Sequence, residues 1–253
     1  DPGKAREWFL KSAQQGYPQS QHSLGVLSYA KADFNEAHEW YLKAAQQGFS
    51  DSQNNLGNMY LEGIGVKQNC SKAIEWFEKV ANQGKIDAQY VLGTIYCGRP
   101  GGWIGNPEKG IEWYLKAAQQ GHKESQYNLA SSYYQGVLGK PDYKKAHDWF
   151  YKGALQGHAD SQHSIAGMYY QGIHVKQSYL KAHDWYSKAA LQGHADAQFN
   201  VGVMYQTCEG PKKGIIKDDE KAFKWHLKAA KQDHVSSMAR LGALYYEGQG
   251  VKQ

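Results

Sequence analysis

The chain has 253 residues, of which 41% are hydrophobic, so it is long enough to bury a substantial core. Its formal net charge of +5 is small for this length, and it demands neither a nucleic acid nor a membrane surface as a partner. No stretch approaches the run of about 18 apolar residues that a membrane-spanning helix needs.

The first predicted element is a helix built around a tryptophan, and it recurs along the whole chain. Apolar residues follow helical spacing around each tryptophan, as at Ala182, Tyr186 and Ala189. Six copies end at a glycine that suits a left-handed C-cap, and the seventh has Asp233 there. The tryptophans of these Trp helices are Trp8, Trp40, Trp76, Trp113, Trp149, Trp185 and Trp225.

The second predicted element is a helix with the pattern Leu-Gly-x-x-Tyr, as from Leu56 to Tyr60. Its small residue follows the tryptophan by 17 residues in all seven copies and lets a neighbouring helix cross closely. Acids such as Asp51 and Asp160 suit the N-cap or first turn of these Leu-Gly helices. Linkers of variable length then complete a period near 36 residues. This repeat pattern predicts a solenoid of stacked helical hairpins.

The repeat sequence resembles that of the Sel1-like repeat family, whose members are related to the tetratricopeptide repeat. The resemblance rests on LGxxYxxGxGV at Leu56 to Val66 and on KAxxWxxKAAxQG at Lys181 to Gly193, and it covers almost the whole chain. It implies an all-α, right-handed α/α superhelical solenoid that binds other proteins along a concave groove.

The repeats predict how the chain is organised. We expect residues 1–253 to form a single array of about six full repeats with a half repeat at each end, cut from a longer protein. No polar capping repeat is visible at either end, so we expect self-association through the ends. Three cysteines without disulfide spacing and the lack of a signal peptide favour a reducing, cytoplasmic compartment. Two linkers do not follow the repeat pattern, one with Trp103 and one with Lys212 and Lys213. Each has two interpretations, a contact with a partner or a structural insertion.

Several residue patterns that resemble chemical sites have a structural interpretation. A lysine follows every tryptophan by three residues, usually four after an acid, which is typical of a solvated helix face. His38, His147 and His183 share a position that holds Ile or Phe elsewhere, so they are spacers rather than metal ligands. Ser178 and Lys181 form a Ser-x-x-Lys motif that the preceding copy lacks. We therefore expect no enzyme activity, no metal and no cofactor.

Variable positions on the Leu-Gly helices are the predicted binding surface. If these helices line the groove, residues two before, two after and five after the Leu should face it. Aromatic and amide side chains there suit recognition of an extended peptide. The predicted binding residues are Asn54, Asn58, Tyr90, Thr94, Tyr127, Ser131, Tyr134, His163, Tyr170, Phe199 and Gln206.

The leading hypothesis is a non-catalytic scaffold that holds a peptide or protein segment in this groove. The alternatives are a helical-repeat RNA reader and a docking arm of a larger enzyme. The predicted groove positions contain no Lys or Arg, although an RNA reader needs a basic path for phosphates. We therefore expect a protein or peptide partner, and neither a nucleic acid nor a membrane.

Overall fold

The computed structural model of the chain describes residues 2–98, 105–207 and 214–250. Throughout these ranges the regular secondary structure is helical and there are no strands, which confirms the all-α prediction. The chain divides into two compact units, residues 1–120 and 121–253. Unit 1 contains α1 (Pro2–Gln14), α2 (Pro18–Ala30), α3 (Phe34–Gln46), α4 (Ser50–Glu62), α5 (Cys70–Asn82), α6 (Ile86–Tyr96) and α7 (Pro107–Gln119). Unit 2 contains α8 (Lys123–Gln135), α9 (Tyr143–Leu155), α10 (Ala159–Gln171), α11 (Tyr179–Leu191), α12 (Ala195–Thr207), α13 (Asp219–Ala230) and α14 (Val235–Glu247).

The odd-numbered helices are the Trp helices, and six of them begin at a side-chain cap. In α5, for example, the Asn69 side chain accepts a hydrogen bond of 3.0 Å from the backbone N–H of Lys72. Such a cap stabilises a helix by about 1 kcal/mol, because it satisfies an amide that has no partner in the helix. The capping residues are Asp33, Asn69, Asn106, Asp142, Ser178 and Asp218.

The turn after each Trp helix requires a left-handed residue. All six glycines predicted for it have positive φ, and Asp233 adopts φ 60° in the seventh copy, as expected. The acids of the Leu-Gly helices lie in the first turn rather than at the N-cap, as Asp51 and Asp160 show.

In unit 2 the N-cap of the Leu-Gly helices is a histidine, which the sequence analysis did not predict. His158 Nδ1, for example, accepts a hydrogen bond of 3.2 Å from the backbone N–H of Ser161. His122, His194 and His234 make the same contact three residues ahead.

The core of each repeat forms where the Leu-Gly helix meets the following Trp helix. Leu56 is fully buried, and Gly57 lies directly against the Phe77 ring. The residue after the tryptophan is aromatic in every copy, and Tyr114 lies against Gly93 in the same way. The close helix crossing predicted from the small residue is therefore confirmed.

A ladder of buried glutamines joins consecutive repeats within each unit. Gln162 Nε2 donates to the Ala154 carbonyl at 3.1 Å, and its Oε1 accepts from Gln192 Nε2 at 2.7 Å. Buried amides without partners are costly, so this arrangement satisfies both ends of the side chain while fixing the repeat register. The equivalent buried residues are Gln21, Gln53, Gln89, Gln126 and Gln198.

Across residues 2–98, 105–207 and 214–250, no helix combines the length and apolar character needed to cross a bilayer.

Candidate functional site

The eleven predicted binding residues all lie on Leu-Gly helices. Asn58 is exposed and the other ten are half-buried, so each retains a surface that a partner can contact. Within unit 2, the structure brings Tyr134, His163 and Tyr170 to one open cleft of about 430 Å³. We call this the α10 cleft.

Aromatic rings form the walls of the α10 cleft. Tyr134 of α8 lies 5.3 Å from the Tyr143 ring, and Tyr170 of α10 lies 5.2 Å from the Tyr179 ring, both measured between centroids. Each tyrosine therefore rests on the first residue of the following Trp helix and is held in place by it. The four aromatic lining residues are Tyr134, Phe150, Tyr170 and Tyr186.

Neutral polar groups complete the lining. His163 Nε2 and Asn200 Nδ2 lie 3.0 Å apart, and the His163 ring stacks on His194 at 4.8 Å between centroids. Burial, reinforced by His194, lowers the pKa of His163, while Asp196 and Asp160 oppose that shift. The polar lining residues are His163, Ser164, Gln171 and Asn200.

Gly167 and Met168 close the α10 cleft between these walls. A methyl group at position 167 would reach only the Tyr186 hydroxyl, at 3.6 Å, so the glycine leaves real space there. Burial raises the pKa of Tyr186 to about 12, with a smaller contribution from Tyr170. The hydroxyl therefore stays protonated at neutral pH and can donate a hydrogen bond.

The sequence analysis missed part of this lining. Ser164 and Asn200 stand one residue before the Leu position, and Phe150 and Tyr186 stand one after the tryptophan. Variation at the position before the Leu, which holds Asn55, Ser164 or Asn200, was the available signal. The aromatic position offered none, because its residues resemble core residues in every repeat.

Unit 1 has a smaller cleft at equivalent repeat positions. This α4 cleft measures about 210 Å³ and is lined by Tyr29, Tyr41, Asn55, Asn58, Met59 and Ile64. Tyr29 corresponds to Tyr134 and Asn58 corresponds to Gly167. Asn58 is the one predicted residue that lines this cleft.

The remaining predicted residues are dispersed. In unit 1, the Tyr114 hydroxyl donates to Thr94 at 3.1 Å, and Tyr90 packs beside the Tyr114 ring. In unit 2, Tyr127 contacts Phe150 and His158 rather than lining the α10 cleft. Asn54 and Ser131 are half-buried on α4 and α8.

Phe199 and Gln206 of α12 contact a buried histidine, His226 of α13. Phe199 contacts the His226 ring, and the Gln206 side-chain oxygen accepts from His226 Nε2 at 3.1 Å. Burial, with Arg240 and His234 nearby, lowers the pKa of His226 to about 4. These two predicted residues therefore lie apart from the α10 cleft lining.

The lysine column on the Trp helices is exposed, as the sequence pattern predicts, and its amines contact the tryptophan rings. Each lysine amine lies over the ring of the tryptophan three residues earlier, at 3.8 to 4.4 Å from its centroid. In the part of the chain that the structure describes, none of these lysines forms an ion pair with the acid four residues before it. The column is a row of cation–π contacts on the Trp helices.

The histidines do not gather around a common point. Over the described ranges, no three His, Cys, Asp or Glu side chains lie close enough to hold a metal ion. His38, His147 and His183 are half-buried, and His38 Nε2 lies 3.1 Å from the Tyr60 hydroxyl. Trp103, Lys212 and Lys213 of the two irregular linkers lie outside the described residues.

The comparisons agree with this architecture. The family model described as Sel1 repeat matches the chain eight times, at residues 1–17, 18–49, 50–85, 86–122, 123–158, 159–194, 195–234 and 235–253. The chain belongs to the Sel1 repeat family. No curated protein matches its sequence significantly.

Two solved structures resemble this Sel1 repeat protein along nearly its whole length. The first is c5321, a protective antigen present in uropathogenic Escherichia coli strains, with 34% identity and a TM-score of 0.86 over 96% of this chain and 52% of that one. The second is a Sel1 repeat protein from Oxalobacter formigenes, with 30% identity and a TM-score of 0.84 over 97% and 71%. The chain thus spans about half the length of the first of these relatives.

Membership of the family gives a broad functional class. Sel1 repeats generally mediate protein–protein interactions and act as non-catalytic scaffolds. The repeat solenoid predicted from the sequence is therefore confirmed at the level of family and fold.

Proposed function

We propose that this Sel1 repeat protein is a non-catalytic scaffold that holds a peptide or protein segment in the α10 cleft. The observation that carries the proposal is the convergence of Tyr134, His163 and Tyr170 on one open space. These positions vary between repeats while the core positions around them hold the fold. A segment bound there would contact the side chains that distinguish this repeat from the others.

The volume and the lining of the α10 cleft support this role. About 430 Å³ falls within the usual range of 300 to 1,000 Å³ for binding pockets, and it suits a few side chains of a bound segment. Tyrosines are frequent binding anchors because they offer a large rigid surface with one polar group. Tyr134 and Tyr170 are already held by neighbouring rings, so little conformational entropy is lost when a partner packs on them.

The charges favour a protein partner over RNA. A separate hollow on the surface of the Trp helix α13 is lined by lysines. Two of them are already paired with acids, Lys221 with Asp218 at 3.0 Å and Lys224 with Glu220 at 3.0 Å. Among the residues that the structure describes, no lysine or arginine lines the α10 cleft, whereas an RNA path needs them to neutralise phosphates. A docking role within a larger enzyme would use the same cleft and the same contacts.

The test is selection of a random peptide-display library against the chain. The selected peptides are then measured against the double variant Tyr134→Ala, Tyr170→Ala. The matched control is Tyr29→Ala, since Tyr29 occupies the repeat position of Tyr134 and contacts Phe34 at 5.1 Å as Tyr134 contacts Tyr143.

We expect the double variant to lose more than about tenfold in affinity, which is about 1.4 kcal/mol, and the control to bind normally. All variants must retain helical circular dichroism. If no enriched peptide depends on Tyr134 or Tyr170, the proposed function is wrong.

A further inference from the structure

The Trp helix α13 has four lysines along one face. Lys221, Lys224, Lys228 and the C-cap residue Lys231 follow each other at intervals of three, four and three residues, which places them on the same side of the helix. All four side chains are exposed. They form a strip of positive charge about 15 Å long.

Two of these lysines are not part of the repeat pattern. Lys228 corresponds to the lysine that follows every tryptophan by three residues, and Lys221 has a lysine counterpart in five of the other six Trp helices. At the position of Lys224 those six helices have Glu or Asp, and at the position of Lys231 they have Gln, Asn or Leu. Six copies of the Trp helix lack these two positive charges, so the repeat fold does not require them.

The lysines border an open hollow of about 440 Å³, which we call the α13 hollow. Its other two lining residues are Trp225 and Leu227, which are half-buried. Trp225 packs against the buried core that α11 and α12 form, and the Lys228 amine lies 4.2 Å from its ring centroid. An occupant of the hollow would therefore meet a fixed apolar surface with ammonium groups beside it.

The positive charge is balanced at only one end of α13. Near the N-terminus of the helix, Lys221 pairs with Asp218 at 3.0 Å and Lys224 pairs with Glu220 at 3.0 Å. Among the described residues, no carboxylate pairs with either of the two lysines nearer the C-terminus, and none lines the α13 hollow. The uncompensated charge therefore lies at the end of the helix that carries Trp225 and Leu227.

An acidic protein segment complements this surface in both respects. Its carboxylates would supply the negative charge that Lys228 and Lys231 lack. One of its apolar side chains would cover Trp225 and Leu227 and remove their exposed surface from water. Exposed ion pairs alone contribute little to affinity, so the apolar contact beside them is what makes a stable complex.

The same surface suits a nucleic acid poorly. A phosphate backbone needs a basic path that continues along several nucleotides. Here the basic strip is confined to one helix, since the preceding Trp helix α11 has Asp184 and Leu191 at the positions of Lys224 and Lys231. A short acidic segment of a protein fits a strip of this length.

We infer that the α13 hollow binds an acidic protein segment. Carboxylates of the segment pair with Lys228 and Lys231, and one apolar side chain packs on Trp225. The α13 hollow and the α10 cleft have no lining residue in common, so the inference goes beyond the proposed function and does not depend on it.

The test uses synthetic fluorescent ligands and the full chain. The probe is an alanine-based peptide with two glutamates on each side of a central leucine. One comparison peptide has glutamine in place of glutamate, and another has serine in place of leucine. A single-stranded uridine oligonucleotide of the same net charge is the third comparison. Fluorescence anisotropy measures the dissociation constant of each.

The informative variant is Lys224→Glu, Lys231→Gln, which gives α13 the charge pattern that α7 already has. The new glutamate repels an acidic ligand, and the glutamine removes one of its unpaired partners. The matched control is Lys67→Gln, Lys176→Glu, which changes the net charge equally at two exposed lysines of the linkers before α5 and α11. Both double variants must retain helical circular dichroism.

We expect the probe to bind at least about tenfold more tightly than the glutamine peptide and about threefold more tightly than the serine peptide. The α13 double variant should weaken the probe by about tenfold, whereas the linker control should change it by less than about twofold. Added salt should also weaken the probe, because it screens exposed charges. Tyr134→Ala, Tyr170→Ala should leave probe binding unchanged.

Three results would overturn the inference. The first is equal binding of the glutamate and glutamine peptides, and the second is probe binding that the α13 double variant leaves unchanged. The third is oligonucleotide binding that is as tight as that of the probe and equally sensitive to the double variant, since the hollow would then be a nucleic-acid site. None of these results changes the outcome of the peptide selection against the α10 cleft, so failure of the inference and failure of the proposed function remain distinguishable.

Discussion

The α10 and α4 clefts occupy equivalent repeat positions, yet one is about 430 Å³ and the other about 210 Å³. Gly167 in the first corresponds to Asn58 in the second, so a side chain fills the space that the glycine leaves open. In unit 1 the counterparts of Tyr170 and Asn200 are Leu61 and Val91, which carry no hydrogen-bonding side chain.

This difference shows how a uniform scaffold forms clefts of different size and lining. The buried leucines and the small residues are the same in kind in both units, and so are the glutamine bonds between repeats. Asn58 and Gly167 differ between the two clefts and neither is buried, whereas Leu61, the counterpart of Tyr170, is a buried core residue. A repeat fold can therefore change the lining of a cleft both at exposed positions and at the edge of its core.

The largest expected effect is on the acid stability of unit 2. His22 and His38 of unit 1 have lowered pKa values, and so do five histidines of unit 2, namely His147, His158, His163, His183 and His226. A buried histidine with a lowered pKa binds a proton less readily in the folded state than in the unfolded state. The free energy of unfolding therefore falls as pH drops below 6.5, and for His226 it continues to fall until about pH 4.

We predict that His226 alone accounts for a loss of about 3 kcal/mol between pH 7 and pH 4. His226→Phe should remove much of this loss, because Phe or Tyr occupies its position in every other repeat. Urea unfolding at several pH values measures the effect. The comparison variant is His38→Ile. Because His38 is less buried than His226, this variant should change the pH dependence of the free energy of unfolding less. An unchanged pH slope in His226→Phe would contradict the prediction.

The second effect compares a glycine that packs in the core with the glycine of the cleft. A methyl group at Gly57 would lie 2.8 Å from the Phe77 ring, which is fully buried and has no space to move. We expect Gly57→Ala to destabilise the chain by about 1–3 kcal/mol through overpacking, reduced by the better helix propensity of alanine. Gly167→Ala should instead raise stability by about 0.5–1 kcal/mol, since alanine favours the helix and its methyl group meets only the Tyr186 hydroxyl, at 3.6 Å. Thermal unfolding distinguishes the two signs.

The helices and the core were predictable from the sequence because they depend on local spacing. The interval of 17 residues from Trp149 to Ala166 runs from the middle of α9 through one turn to the middle of α10. This sequence spacing does not vary between copies. The left-handed glycines were predictable for the same reason, because the positive φ of Gly157 is set by the short turn in which it lies. Burial of the leucine follows from helical periodicity.

The α10 cleft was predictable only in part. Tyr134, His163 and Tyr170 were predicted because their positions vary between repeats. Tyr127 was predicted on the same ground, and it does not line the cleft. The cleft needs side chains from α8, α9, α10, α11 and α12 at once, and a pattern within one repeat does not reveal how these meet. The histidine caps were not predicted, because the N-cap signal was sought in the acids of the first turn, such as Asp160.

The third prediction fills the cleft instead of truncating its walls. Gly167→Asn should reproduce the α4 arrangement and weaken peptides selected for the α10 cleft by about tenfold, or about 1.4 kcal/mol. Stability should change little, because both residues are poor helix formers. Gly167→Ala is the control for the backbone and should retain most of the affinity. The reciprocal variant Asn58→Gly enlarges the α4 cleft without adding its missing donors, so it should not create binding. Binding gained by Asn58→Gly would show that volume alone separates the two clefts.

The smallest effect concerns the Trp helices, where the two units do not differ. Lys43 lies 4.3 Å from the Trp40 centroid in unit 1, and Lys188 lies 4.0 Å from the Trp185 centroid in unit 2. We expect Lys43→Ala and Lys188→Ala to lower the free energy of unfolding equally, by about 0.5–1 kcal/mol, because each loses one cation–π contact at a helix C-terminus. Lys188→Arg should restore most of it. Neither alanine variant should change peptide affinity. If Lys188→Ala weakens the peptides and Lys43→Ala does not, the binding surface of unit 2 extends to the exposed lysine face of its Trp helices. The cleft lining then does not account for the difference between the units.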